Sequence, residues 1–161
     1  MVTLAEFNSA AEEQLSPLLH SCCDAAAWVR EMLAQRPYPD VNSALAAADT
    51  AARALTGPEV DAAAAAHPRL GEPVAGTDPH AEWARSEQSD VAGSAALAAD
   101  NRAYEHRFGR VFLISASGRS TEEIRTALRR RLANDDATEA AVVADELREI
   151  AVRRLREVLG G

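Results

Sequence analysis

The chain has 161 residues, 47% apolar and 26% charged, with a formal net charge of −8 and arginine at all 17 basic positions. That length and balance describe one soluble domain with a real core, and the acidic excess argues against a nucleic-acid partner, which leaves a basic footprint. Aromatic residues are only 4%, so the core must come from Leu, Val, Ile and abundant Ala, whose helix propensity is the highest of all residues.

Thr3-Leu4-Ala5-Glu6 and Ser9-Ala10-Ala11-Glu12 have the spacing of capping boxes. They predict a short first turn, then a second helix to about Cys22 that Pro17 kinks or breaks. Met1 to Glu13 lacks a basic stretch followed by an apolar run, so no signal peptide is expected. No segment has the length of an uncharged membrane span. Asp24 is placed to cap a third helix with Trp28, Met32 and Leu33 on one face, and Arg36-Pro37-Tyr38-Pro39-Asp40 ends it. Asn42 or Ser43 opens an Ala-rich helix to about Leu55, and Gly57-Pro58 opens the next, through Val60 to Ala66. Three prolines and two glycines make 68–79 a loop, expected at the rim of an active site.

A helix from about Ala81 to Val91 carries Glu87 and Gln88. Gly93-Ser94 interrupts, and helical spacing resumes from Ala95 to Phe108 with Leu97, Asn101 and Tyr104 as markers. Val111 to Ile114 is apolar and β-branched but too short and solitary for a sheet, and reads as a buried extended segment. Ser120-Thr121-Glu122-Glu123 is a further capping box, opening a helix to about Leu132. Asp136-Ala137-Thr138-Glu139 opens the last helix, with Val143, Leu147, Ile150, Arg154 and Val158 on one broad side. The expected architecture is all-α: a single compact domain over 1–161, with about seven to nine helices of ordinary length.

Against this background the polar exceptions carry the chemistry. His67 ends an apolar stretch and precedes Pro68, which directs the chain onward, so its imidazole can project into a cleft. The same placement suits a helix-terminal histidine favouring the negative end of the dipole. His20, His80 and His106 have no such setting and read as surface or core residues. Glu87 and Gln88 fit a site, or equally a solvated helix face. Metal-ligand spacings, phosphate-loop glycines and the Gly-x-Ser-x-Gly elbow are absent from the sequence. Adjacent Cys22 and Cys23 cannot bridge each other without strain and read as reduced, buried thiols in a cytosolic setting. Arg154 falls four residues after Ile150 and seven after Leu147, on the apolar side. An inward guanidinium needs an anionic or carbonyl partner, which could be a ligand or a group of the protein itself.

Read together, Arg36-Pro37-Tyr38, His67-Pro68-Arg69-Leu70-Gly71, Trp83 with Ser86-Glu87-Gln88, Asn101 with Tyr104, Arg107-Phe108-Gly109, Phe112-Leu113-Ile114, Gly118-Arg119-Ser120, Arg131-Leu132 with Asn134, and Arg154-Leu155 form an ordered set along almost the whole chain. In that set the chain resembles the OHCU decarboxylases, which act on 2-oxo-4-hydroxy-4-carboxy-5-ureidoimidazoline in urate breakdown. Two departures stand out: Ser115, where many relatives have a small apolar residue or Cys, and Pro17 in an early helix.

The resemblance implies an all-α fold, often a homodimer, in the cytoplasm and without a cofactor. It implies conversion of OHCU to (S)-allantoin and carbon dioxide, after urate oxidase and 5-hydroxyisourate hydrolase have acted. By the same resemblance His67 and Glu87 are catalytic. Pro68, Ala84, Arg85, Ser86, Gln88, Leu113, Ile114, Ser115, Ala116, Ser117 and Arg154 are expected to bind the substrate, with backbone amides near Ser115 and Ala116 reaching a ring carbonyl. Neither nucleic acid nor membrane is an expected partner. A non-catalytic helical module that binds a small ureide, and a purely structural bundle, are the competing readings.

Overall fold

Short polar caps and Ala-rich stretches without β-branched runs decide the local structure. In a computed structural model, which describes residues 1–72, 75–87 and 94–160, they form nine helices among the described residues: α1 (Leu4–Ser9), α2 (Glu12–Cys22), α3 (Ala26–Ala34), α4 (Val41–Arg53), α5 (Gly57–Ala65), α6 (Pro79–Glu87), α7 (Ala95–Phe108), α8 (Thr121–Leu132) and α9 (Asp136–Val158). The all-α expectation holds. No helix among the described residues is long and apolar enough to cross a membrane. The chain divides into two compact units, 1–63 with 144–161, and 64–143.

In the first unit the capping box at Thr3 forms as expected. The one at Ser9 does not: the Ser9 hydroxyl donates back to the Ala5 carbonyl at 2.9 Å, and α2 starts after Ala11 without a side-chain cap. Pro17 lies on an exposed side of α2, which runs through it unbroken from Glu12 to Cys22. Asp24 does not cap α3; it pairs with Nδ1 of His20 at 2.8 Å, and the cap position is Ala25. For α4 the cap is Asp40, whose Oδ1 accepts from the Ser43 amide at 2.7 Å, so the helix begins two residues earlier than Ser43.

α3 packs against α2 and α4. On α4 the buried face is mostly alanine (Ala44, Ala48, Ala51, Ala52), which lets a neighbouring helix approach closely. The large Trp28 fills the remaining space with no exposure, and its indole N–H donates to the Ala48 carbonyl at 3.0 Å. The Arg36–Asp40 turn is held by polar bonds. Asn8 exchanges two hydrogen bonds with the Tyr38 backbone, at 2.8 and 2.9 Å, and the Tyr38 hydroxyl donates to the Met32 carbonyl at 2.9 Å. Half-buried Arg36 donates to the carbonyls of Leu33, Phe7 and Ala10 at 3.2, 3.0 and 2.8 Å.

The second unit contains α6, α7 and α8, with α7 packed on α8. α7 covers Ala95 to Phe108 as expected, with Ser94 as its cap, and Ser120 caps α8 in the expected full capping box. One core cluster joins Leu70, Leu97 and Tyr104 to Phe112, Ile114, Ala116, Ile124 and Leu128. Residues 111–116 form neither helix nor strand, and 112–116 are buried, as the apolar run predicts. α9 opens at Asp136 as expected, with Asp135 accepting from the Thr138 amide at 2.7 Å, and Glu139 turns fully inward.

Candidate active site

His67 follows α5, its amide donating to the Ala64 carbonyl at 3.1 Å, and its side chain is buried. The next residues are tied to α7 one after another. Arg69 pairs with Glu105 at 2.6 Å, the Leu70 carbonyl accepts from Asn101 Nδ2 at 2.6 Å, and the Leu70 side chain enters the core cluster. Gly71 has φ of +83°, and a Cβ there would stand 3.4 Å from the Ser94 carbonyl oxygen, so only glycine takes this path without strain. The loop that carries His67 and Pro68 is thus fixed to a helix rather than hanging from α5.

α6 brings the second catalytic candidate. Asp78 caps it by accepting from the Ala81 amide at 2.9 Å, Ala81 and Ala84 are buried, and half-buried Glu87 is its last residue. Arg85 and Ser86 are exposed, and Arg85 donates to the Gly76 carbonyl at 2.7 Å. The expected Gln88 contact, and the helix end at Val91, lie outside the described residues. His80, read from sequence as an ordinary surface or core residue, sits instead against His67: the ring centroids are 5.1 Å apart at 63°. Its Nε2 lies 2.9 Å from the Ala66 carbonyl, which can only accept, so Nε2 carries the proton. The path of the loop brings them together, with twelve residues between the two histidines in sequence.

The segment 113–117 is buried through Ala116, with Ser117 exposed and turning into Gly118, whose φ is +75°. Its neighbour is a buried polar network that the sequence reading missed. Arg131 on α8 donates Nη1 to the Leu113 carbonyl at 2.6 Å and Nε to Glu139 Oε1 at 2.7 Å, with Nη2 2.6 Å from the same oxygen. The Tyr104 hydroxyl donates to Glu139 Oε1 at 2.6 Å, and Asn134 donates to Oε2 at 3.0 Å. The guanidinium also lies 4.4 Å above the Phe112 ring. Burial, and then the bond to Glu139, push the Tyr104 phenol well above its usual range. A signal for this existed: Arg131 falls seven residues after Ile124 and three after Leu128, on the buried face of α8.

Arg154 belongs to the first unit and has no exposure, as its register predicts. It donates Nη1 to the Ser21 carbonyl at 2.9 Å. Cys22 and Cys23, both free and buried, feel its charge, yet burial outweighs it and pushes each thiol up to about 12. Such thiols are not nucleophiles at neutral pH. Among the described residues no three His, Cys, Asp or Glu side chains gather as a metal site would require.

A sequence model described as OHCU decarboxylase matches residues 8–156 and so enters both units. The chain belongs to the OHCU decarboxylase family. It is 27% identical to the uric acid degradation bifunctional protein of Bacillus sp. (strain TB-90), over 98% of this chain and 32% of that protein. It therefore spans about a third of the length of the curated relative it matches. Among solved structures, a crystal structure of OHCU decarboxylase in the presence of (S)-allantoin aligns with a TM-score of 0.72 and 26% identity, over 90% of this chain and 99% of that one. A crystal structure of (S)-allantoin synthase aligns with a TM-score of 0.70 over 98% of this chain and 53% of that one; at 18% identity it speaks for the fold alone.

Proposed function

We propose that this chain decarboxylates OHCU to (S)-allantoin, with His67 and Glu87 moving the protons. The observation that carries the reading is family membership across 8–156 together with a buried His67 whose loop is pinned to α7. OHCU holds its carboxylate on a carbon next to a ring C=N. When the carbon–carbon bond breaks, carbon dioxide leaves and the electron pair flows into that imine, whose nitrogen takes a proton. The substrate is thus its own electron sink, and the reading needs no cofactor. The resulting ene-type intermediate must then lose its hydroxyl proton and gain one at the neighbouring ring carbon, on one face only.

Glu87 orients the hydroxyl and accepts from it, while His67 polarises the reacting centre and serves as the acid. Positioned groups of this kind contribute on the order of 10²–10⁴-fold. Pro68, Ala84, Arg85, Ser86 and Gln88 line the substrate, Arg154 holds a carbonyl or carboxylate, and the backbone of 113–117 meets a ring carbonyl. The same reading makes the protein a cytoplasmic homodimer whose family domain spans 1–161. It places the reaction after urate oxidase and 5-hydroxyisourate hydrolase. Two buried free thiols fit a reducing compartment.

The test is stereochemical. Purified protein is given freshly made OHCU, and circular dichroism follows the allantoin band. His67→Ala and Glu87→Ala should each remain folded, by far-ultraviolet dichroism, and leave only the racemic product of spontaneous decay. A near-normal signal from either variant removes that residue from the mechanism.

A further inference from the structure

The backbone from Phe112 to Ala116 is buried without a helix or a sheet to satisfy it. Its path must be set by individual contacts. Two are specific. The Leu113 carbonyl receives Arg131 Nη1 at 2.6 Å, and the Phe112 ring lies 4.4 Å from the same guanidinium. Arg131 is fixed in turn by Glu139, which Tyr104 and Asn134 also hold. In a planar fork clamped on one edge, the directions of the remaining N–H donors are fixed as well.

We propose that Arg131 is a positioning residue for the reaction: clamped by Glu139, it fixes the Leu113 carbonyl and so sets where the amides of Ser115 and Ala116 meet the substrate. This rests on the function proposed above. Stability alone is a weak reason for the ion pair, because buried charge pairs can often be replaced by apolar residues of similar volume without loss. What an apolar pair cannot replace is the bond to the carbonyl. Backbone that contacts a ring carbonyl before and during decarboxylation contributes mainly uniform binding, so its displacement raises KM more than it lowers kcat.

The experiment compares Arg131→Lys, Arg131→Met and the double variant Arg131→Met with Glu139→Leu against the parent protein. Each is followed by urea unfolding, by OHCU turnover with the stereochemistry of the product, and by hydrogen exchange of the peptide covering 112–117. The singles should lose stability. The double variant should regain parent-like stability, yet show a KM raised about 10- to 100-fold, kcat within about threefold, and faster exchange confined to 112–117. A double variant with parent KM and parent exchange overturns the assignment and leaves Arg131 a structural residue only. Loss of stability that the double variant does not regain, with KM unchanged in Arg131→Lys, overturns it as well. Absence of turnover in the parent protein defeats the proposed activity and this inference with it, an outcome distinct from turnover with unmoved KM.

Discussion

Both units use an arginine to hold irregular backbone, and they do it under different electrostatic conditions. In the first, Arg36 spans three carbonyls around the Arg36–Asp40 turn while half-buried, so water still solvates part of its charge. In the second, Arg131 holds the Leu113 carbonyl with only 5% exposure, and its charge is met by a carboxylate with no exposure at all. The comparison shows two ways of meeting the charge. Carbonyl dipoles serve the guanidinium that water can reach; the enclosed Arg131 has an ionic partner, and that partner has its own donors.

Breaking the enclosed pair should show the larger effect. Glu139→Ala leaves Arg131 charged and enclosed, and should cost about 3–5 kcal/mol in urea unfolding. A loss below about 1 kcal/mol would mean that water enters and the two sites are alike. Arg36→Met removes three bonds to carbonyls that water can partly resolvate, and should cost about 2 kcal/mol. Were it to match Glu139→Ala, solvent access would not be the deciding variable. A third probe reads enclosure in the first unit through its thiols. The unfolded chain releases thiol protons from the ordinary value of 9.0, whereas Cys22 and Cys23 in the fold hold theirs to about 12. Between pH 9 and 12 the native state therefore binds more protons than the unfolded one, and stability falls as pH rises, by up to about 1.4 kcal/mol per pH unit for each thiol. Tyr38, pushed by burial from 10.0 to about 12, adds to the loss only above pH 10. The Cys22→Ala, Cys23→Ala double variant should flatten the slope between pH 9 and 10 in unfolding curves; an unchanged slope would show that the thiols are not enclosed.

The helices were legible where a local signal was strong. Ser120 caps α8 as expected, α7 covers the expected Ala95 to Phe108, and α8 ends at Leu132 as expected. Caps failed where neighbouring residues competed. Asp40 outbid Asn42 and Ser43, and Asp24 paired with His20 instead of opening α3. Only three-dimensional placement decides such contests, because each candidate has the right chemistry. Site residues divide the same way. The register of Arg154 pointed inward and it is enclosed, but the same register argument, applied to Arg131, went unused because nothing in the sequence pairs it with Glu139. His80 could not be connected with His67 before the loop between them had a path.

The course of residues 112–116 has a consequence for how this protein can change. Under the function proposed above, this segment meets the substrate through main-chain amides, and a surface written in amides is indifferent to much of the side-chain alphabet. Ser115, buried at 7% exposure, is a position where that reading expects side-chain exchange to be tolerated. Retuning the protein toward bulkier imidazolines would therefore start not with the residues nearest the ligand but with the distant anchors that steer the chain, Tyr104 and Arg131 foremost.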